Sequence, residues 1–157
     1  MQRVVDEQCA HAMDATAEVV KRLSVQAPDS LYTLIDETKD ISFMVFDSTG
    51  LRFWSDNRWV TDQIRTNAYD QWFYQRFSNA HCLCRWTETP PYAVLTILPI
   101  KRAYAYENQV LRNTFMPAFH AFDGVYDITD DTGRSHHVIN DERGEPLFFI
   151  CHDEAPV

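Results

Sequence analysis

From Gln2 to Val25 the chain carries no glycine or proline, and its apolar or small positions Val5, Cys9, Ala12, Thr16, Val19 and Leu23 recur at alternating intervals of four and three. That spacing lines one side of an α-helix with a heptad stripe, able to pack on a sheet of its own domain or on a partner helix. Pro28 ends the pattern, because a proline ring blocks the helical ladder. Asp29 or Ser30 is the expected N-cap of a short second helix through Leu31, Leu34 and Ile35.

The period then changes. Ile41 to Asp47 is a near-continuous apolar run rich in strand formers, and Ser48-Thr49-Gly50 turns it into Leu51-Arg52-Phe53-Trp54, which predicts a β-hairpin. Trp59 to Asp70 is mixed, with a helical turn expected around Val60 to Thr66. Trp72 to Phe77 alternates weakly, as an edge strand does, and His81 to Thr87 reads as the next strand. Pro90-Pro91 makes a tight connection into the long apolar run Tyr92 to Ile100, whose lack of alternation marks a central strand. Glu107 to Phe115 predicts a short helix stopped near Pro117. Three short strands follow around Val125 to Ile128, His136 to Ile139 and Leu147 to Cys151, separated by the turns Asp131-Thr132-Gly133 and Arg143-Gly144-Glu145-Pro146. The layout is α+β in one domain over residues 1–157: a helix over about 2–25, then a core over about 30–152 built on an antiparallel sheet of about five or six strands.

A chain of 157 residues buries a sufficient core without disulfide or metal support. The 45% hydrophobic and 13% aromatic content excludes a disordered segment. With 23 acids against 14 bases and a net charge of −9, the chain lacks the clustered Lys and Arg that phosphate contact requires, so nucleic acid is not an expected partner. No run reaches the roughly 18 to 20 apolar residues of a membrane span, and the N-terminus lacks a signal-peptide pattern. The sequence opens inside a helical pattern and closes just after an apolar strand, as a piece of something longer does. Four cysteines, Cys9, Cys82, Cys84 and Cys151, fall short of the density of a disulfide scaffold and read as free buried thiols.

Signatures of hydrolases and kinases are absent, and four glycines leave little material for a phosphate loop. The pairs Asp130-Asp131, beside Glu142, and Asp36-Glu37 read as solvated charges. Metal-ligating residue types occur at His81-x-x-Cys84 with Cys82, at His136-His137 and at Cys151-His152. Strand neighbours face opposite sides, however, so no metal and no cofactor is expected. His136 and His137 are of the residue type that serves as a pH switch and offer a weak candidate lever. The aromatic and cationic residues near strand ends are more suggestive. Arg52, Trp54, Arg58, Trp86, Tyr92, Lys101 and Tyr104 are the ligand-binding candidates, because aromatic walls with a placed cation suit a small anion such as a carboxylate. The competing reading keeps the aromatics in the core, with Arg and Lys snorkelling to water.

Two ordered segments carry a resemblance: Leu51-Arg52-Phe53-Trp54-Ser55-Asp56-Asn57 after one apolar strand, and Ile100-Lys101 with Tyr104-Ala105-Tyr106-Glu107-Asn108, then Leu111 and Asn113, after another. With a closing Gly144-Glu145-Pro146-Leu147-Phe148, the pattern resembles the extracytoplasmic sensor region of Bacteroidetes-type two-component sensor histidine kinases, over roughly Ile41 to Ile150. The resemblance implies a PAS-like or Cache-like fold, in which a long N-terminal helix packs on a curved antiparallel sheet. It also implies a periplasmic location, membrane helices on both sides in the parent protein, and cytoplasmic kinase domains beyond them. The domain itself would then have no enzymatic activity and would respond to a small-molecule or protein signal. A homodimer through the N-terminal helix is expected in the full-length protein, carried by the Val5 to Leu23 stripe. Ser55, Asp56, Asn57, Tyr106, Glu107 and Asn108 are expected as motif residues that hold loops. Two other classes compete: a protein- or peptide-interaction domain without a pocket, and a small metal-responsive or enzymatic domain using His81, Cys82, Cys84 and His152.

Overall fold

The heptad stripe becomes one face of helix α1, Gln2–Leu23. The computed structural model that shows this describes all residues except 38, 39, 60, 62, 105–112, 131, 132, 134, 135 and 154–157. Val5, Ala12, Thr16, Val19 and Leu23 are buried in their own domain, and Cys9 is half-buried. The stripe is therefore spent on intramolecular packing. Lys21 and Arg22 lie in the last turn, where cations oppose the negative end of the helix dipole. Pro28 does more than stop the helix: it is the first residue of a 3-10 helix, Pro28–Glu37, a position where its missing N–H costs nothing.

Strands β1 (Ser42–Asp47), β2 (Gly50–Trp54), β3 (Trp72–Phe77), β4 (Ala80–Thr89) and β5 (Tyr92–Arg102) form an antiparallel sheet in the order β2-β1-β5-β4-β3. The β1–β2 hairpin turns on Gly50, whose φ of 124° is open to glycine but strained for other residues. The turn is tightened by the Asp47 carboxylate, which accepts from the Thr49 N–H and hydroxyl at 2.8 and 2.6 Å. β3 stands at the edge and β5 at the centre, as the patterns predict. Every residue from Val94 to Lys101 is buried, because both faces of β5 are covered. Pro99, which has no N–H for the ladder, sits beyond the last β1 partner and beside a register shift between β4 and β5.

The three C-terminal strands, β6 (Tyr126–Thr129), β7 (His137–Asn140) and β8 (Pro146–His152), do not join that sheet. They form their own, in the order β6-β8-β7. The architecture is α+β, with the N-terminal helix on a five-stranded antiparallel sheet and a three-stranded sheet beside it. Among the described residues, side-chain contacts join the second sheet to the rest. Gln2 exchanges two hydrogen bonds of 2.8 Å with the Asn140 backbone, Lys101 pairs with Asp127, and the Tyr74 and Phe148 rings meet at 6.1 Å.

Two expected helices fare differently. Residue 61 and residues 63–66 are irregular rather than helical, because their polar groups bond across to the sheet, while Val60 and Asp62 lie outside the described residues. Most of the Glu107 to Phe115 helix also lies outside them, and its last residue, Phe115, bridges to Lys101 instead. A 3-10 helix, Pro117–Phe122, begins where a stop is expected.

Candidate functional site

Strand alternation assigns the two faces of the large sheet. Thr16 of α1 meets Thr96 of β5 at 2.7 Å, so α1 covers the face that carries Val94, Thr96 and Leu98. The opposite face carries Ser42, Met44, Leu95, Ile97, Cys84 and Trp86, which the register places side by side. Over it run residues 55–59, 61 and 63–71, which lie between the edge strand β2 and the opposite edge strand β3. Their anchors are polar. The Arg65 N–H donates to the Gln75 side-chain oxygen at 2.9 Å, and the Trp86 indole N–H donates to the Arg65 carbonyl at 3.1 Å. The Arg65 guanidinium lies 5.3 Å from the centre of the Phe73 ring.

Where this segment leaves β2, the chain folds into a clasp. The Ser55 N–H donates to the Phe43 carbonyl at 2.9 Å and its hydroxyl accepts from the Phe43 N–H at 2.8 Å, so Ser55 extends the β1 ladder by one side chain. Asp56 accepts from the Ser42 hydroxyl at 2.8 Å and from the Arg58 N–H at 3.1 Å, and pairs with the Arg58 guanidinium at 3.3 Å. Partial burial pushes the Asp56 carboxyl up, but the bonds from Arg58 and Ser42 outweigh it and hold the group below its usual value. The Arg58 carbonyl in turn accepts from the Asn79 amide at 2.8 Å, which ties the clasp to the β3–β4 turn.

Between clasp and sheet lies a crevice of about 230 Å³, walled by Met44, Leu51, Trp54, Trp59 and Ile97, with Ser42, Asp56, Asn57 and Thr61 as its polar lining. Trp54 is 55% exposed and forms the outer wall, whereas Trp59 is only 8% exposed. The Trp59 indole N–H is buried and has no hydrogen-bond partner among the described residues. A buried donor left unpaired costs about 1–3 kcal/mol, and this one belongs to a residue that lines the crevice. The Arg58 guanidinium lies 5.5 Å from the Trp59 ring centre and is neutralised by Asp56.

Of the ligand-binding candidates, only Trp54 lines this crevice, and Arg58 reaches it through Asp56. Arg52 pairs with Asp47 at 3.3 Å at the hairpin turn. Trp86 packs on Phe46 with ring centres 5.5 Å apart and spends its N–H on the crossing segment. Tyr92 belongs to a separate depression with Tyr69, Pro90 and Pro91. Lys101 is 8% exposed, 2.9 Å from the Asp127 carboxylate and 4.8 Å from the centre of the Phe115 ring. The Tyr104 N–H donates to the Asn113 side chain at 2.6 Å. Tyr106, Glu107 and Asn108 lie outside the described residues. The basic candidates are thus taken up by aspartates rather than gathered around an anion.

Trp59, Ser42, Met44, Thr61 and Ile97 are not among the sequence's candidate site residues, and Leu51 enters only as the first residue of the Leu51 to Asn57 motif. The available signal was Trp59 itself, a large aromatic inside a polar stretch just after the Ser55-Asp56-Asn57 motif.

The residues of metal-ligating type do not assemble. Cys82 and Cys84 share the face beneath the crossing segment, while His81 points to the other and bonds Tyr74. His152 lies against Tyr126 and His137. Among the described residues no group of three or more His, Cys, Asp or Glu is placed to hold a metal ion. All four thiols are free, and burial is the main force pushing Cys9 up to about 12 and raising Cys82 and Cys84 as well. Such thiols are poor nucleophiles and resist oxidation. The chain matches no family model, no curated protein and no solved structure.

Proposed function

We propose that this chain is the extracytoplasmic sensor domain of a membrane-bound sensor histidine kinase, and that it reads a small neutral molecule in the crevice behind Trp54. The observation that carries the ligand-binding half of this reading is a crevice with mostly apolar walls and a few polar residues, lined by Trp59, whose buried N–H has no partner among the described residues. The size of the crevice suits a compact molecule that offers one hydrogen-bond acceptor. Asp56 already neutralises Arg58, so a charged ligand gains little there. The sensing half is supported by the ordered pair of motifs and by a long helix laid on an antiparallel sheet, the layout that the resemblance implies.

A ligand transmits a signal only if it favours one state over another. The crevice and α1 lie on opposite faces of β1 and β5, so a ligand that alters the packing of Met44 and Ile97 acts on the strands on which α1 rests. A pocketless interaction domain is disfavoured by the presence of the crevice.

The test is the parent protein in membranes. Apolar spans on both sides of this segment, a kinase region, and autophosphorylation altered severalfold by Trp59→Phe are the expected results. A parent without spans or kinase overturns the sensor assignment. An unaltered response in a folded Trp59→Phe protein overturns the crevice as its input.

A further inference from the structure

A second cavity, of about 370 Å³, lies on the other face of the large sheet, between it and the three-stranded sheet. Arg76 and His81 line it, and strand register sets their place. Arg76 of β3 stands opposite His81 of β4, and His81 stands opposite Lys101 of β5, so three strands deliver a row of basic side chains to one face. Tyr74, two residues from Arg76 and on the same face, lies with its hydroxyl 2.6 Å from His81 Nδ1. The remaining wall offers an apolar stretch from Ile128, Leu147 and Phe148 of β6 and β8, with Thr129 and Asp130 beside it.

Burial is the largest influence on His81 and pushes its pKa down to about 4, so the ring is neutral near pH 7. Among the charges, Arg76 and Lys101 act on it more strongly than Asp127 and Asp130. The Lys101 ammonium is engaged by Asp127, whereas Arg76 is exposed and spends one N–H on the Phe77 carbonyl at 3.0 Å, leaving further donors of its five. With Nδ1 taken by Tyr74, the His81 Nε2 edge is left for another partner. Asp130 on the cavity wall disfavours a second negative charge.

We propose that the cleft between the two sheets binds a small monocarboxylic acid, its carboxylate at Arg76 and the His81–Tyr74 pair and its apolar body against Ile128, Leu147 and Phe148. Arg is the side chain best shaped for a carboxylate, and the apolar wall rewards a short hydrocarbon or aryl group. This site is independent of the crevice behind Trp54. A carboxylate beside His81 favours the imidazolium, so the complex holds more protons than the free protein above about pH 4. Binding therefore tightens as pH falls.

The test is calorimetric titration with phenylacetate and with phenylacetamide, its neutral analogue. Phenylacetate is expected to bind, the amide about tenfold or more weaker. Arg76→Gln, at an exposed position, is expected to weaken phenylacetate by a similar factor. Affinity of the unaltered protein is expected to rise severalfold from about pH 7.5 to 5.5, and His81→Gln to flatten that rise. As a readout independent of affinity, phenylacetate is expected to shift the NMR signals of the His81 ring. Trp59→Phe in the other crevice is expected to leave all of this unchanged. Absence of phenylacetate binding, equal binding of acid and amide, indifference to Arg76→Gln, or loss with Trp59→Phe would each overturn the proposal.

Discussion

His81 shows how placement rather than residue type sets chemistry. On sequence grounds it belongs with Cys82 and Cys84 as a possible ligand set, yet strand alternation turns it to the other face, where Tyr74 takes its Nδ1. The folded ring titrates at about 4 against an ordinary value of 6.5. Since the folded-state pKa is depressed, the unfolded chain binds more protons between those values. The contribution is therefore full above pH 6.5 and is lost as pH falls towards 4. Unfolding in urea at stepped pH should show a loss of up to about 3 kcal/mol across that window, and His81→Gln should remove most of it. An identical slope in the variant would show that the ring is not buried as described. Trp59 makes the same point. A tryptophan in a polar stretch announces burial, but only the crossing segment above β1 and β5 places it in the lining of a crevice with its N–H unpaired among the described residues.

At the level of elements, the helix–sheet interface rests on one polar pair within an apolar seam. Thr16 donates to the Ala12 carbonyl at 2.8 Å, so across the 2.7 Å contact Thr96 is left as the donor and Thr16 as the acceptor. The two hydroxyls are then not equivalent. Thr16→Val strands the Thr96 hydroxyl at a position with no exposure and should cost about 1–3 kcal/mol. Thr96→Val leaves Thr16 bonded to Ala12 and should cost clearly less, while the double variant should recover part of the Thr16→Val loss. Chemical denaturation of the three variants measures this, and Thr96→Val emerging as the costlier change would reverse the donor assignment. The elements themselves were largely legible: the four-and-three spacing of Val5 to Leu23 is α1, the run from Tyr92 is the central strand, and Gly50 is the hairpin turn. The segment after Asn57 was not, because its order comes from bonds to Gln75 and Trp86, distant in sequence, rather than from its own periodicity.

For the whole molecule, the junction between the two sheets depends on Lys101. A lysine at 8% exposure, held by one aspartate and one ring face, is costly to disturb. Lys101→Met should lower stability by about 1–3 kcal/mol. Hydrogen exchange should quicken in β6, β7 and β8 well before β1, β4 and β5. Uniform acceleration across both sheets would show that they do not separate. The α+β class, the strand positions and the acidic balance follow from the sequence alone, since periodicity and charge are local properties that survive any arrangement of the chain. The split into sheets of five and three strands, the pairing of Arg52, Arg58 and Lys101 with aspartates, and the two cavities on opposite faces do not. Each depends on residues far apart in sequence meeting across a sheet. The tertiary structure decides such meetings through register and side-chain alternation, which no local pattern encodes.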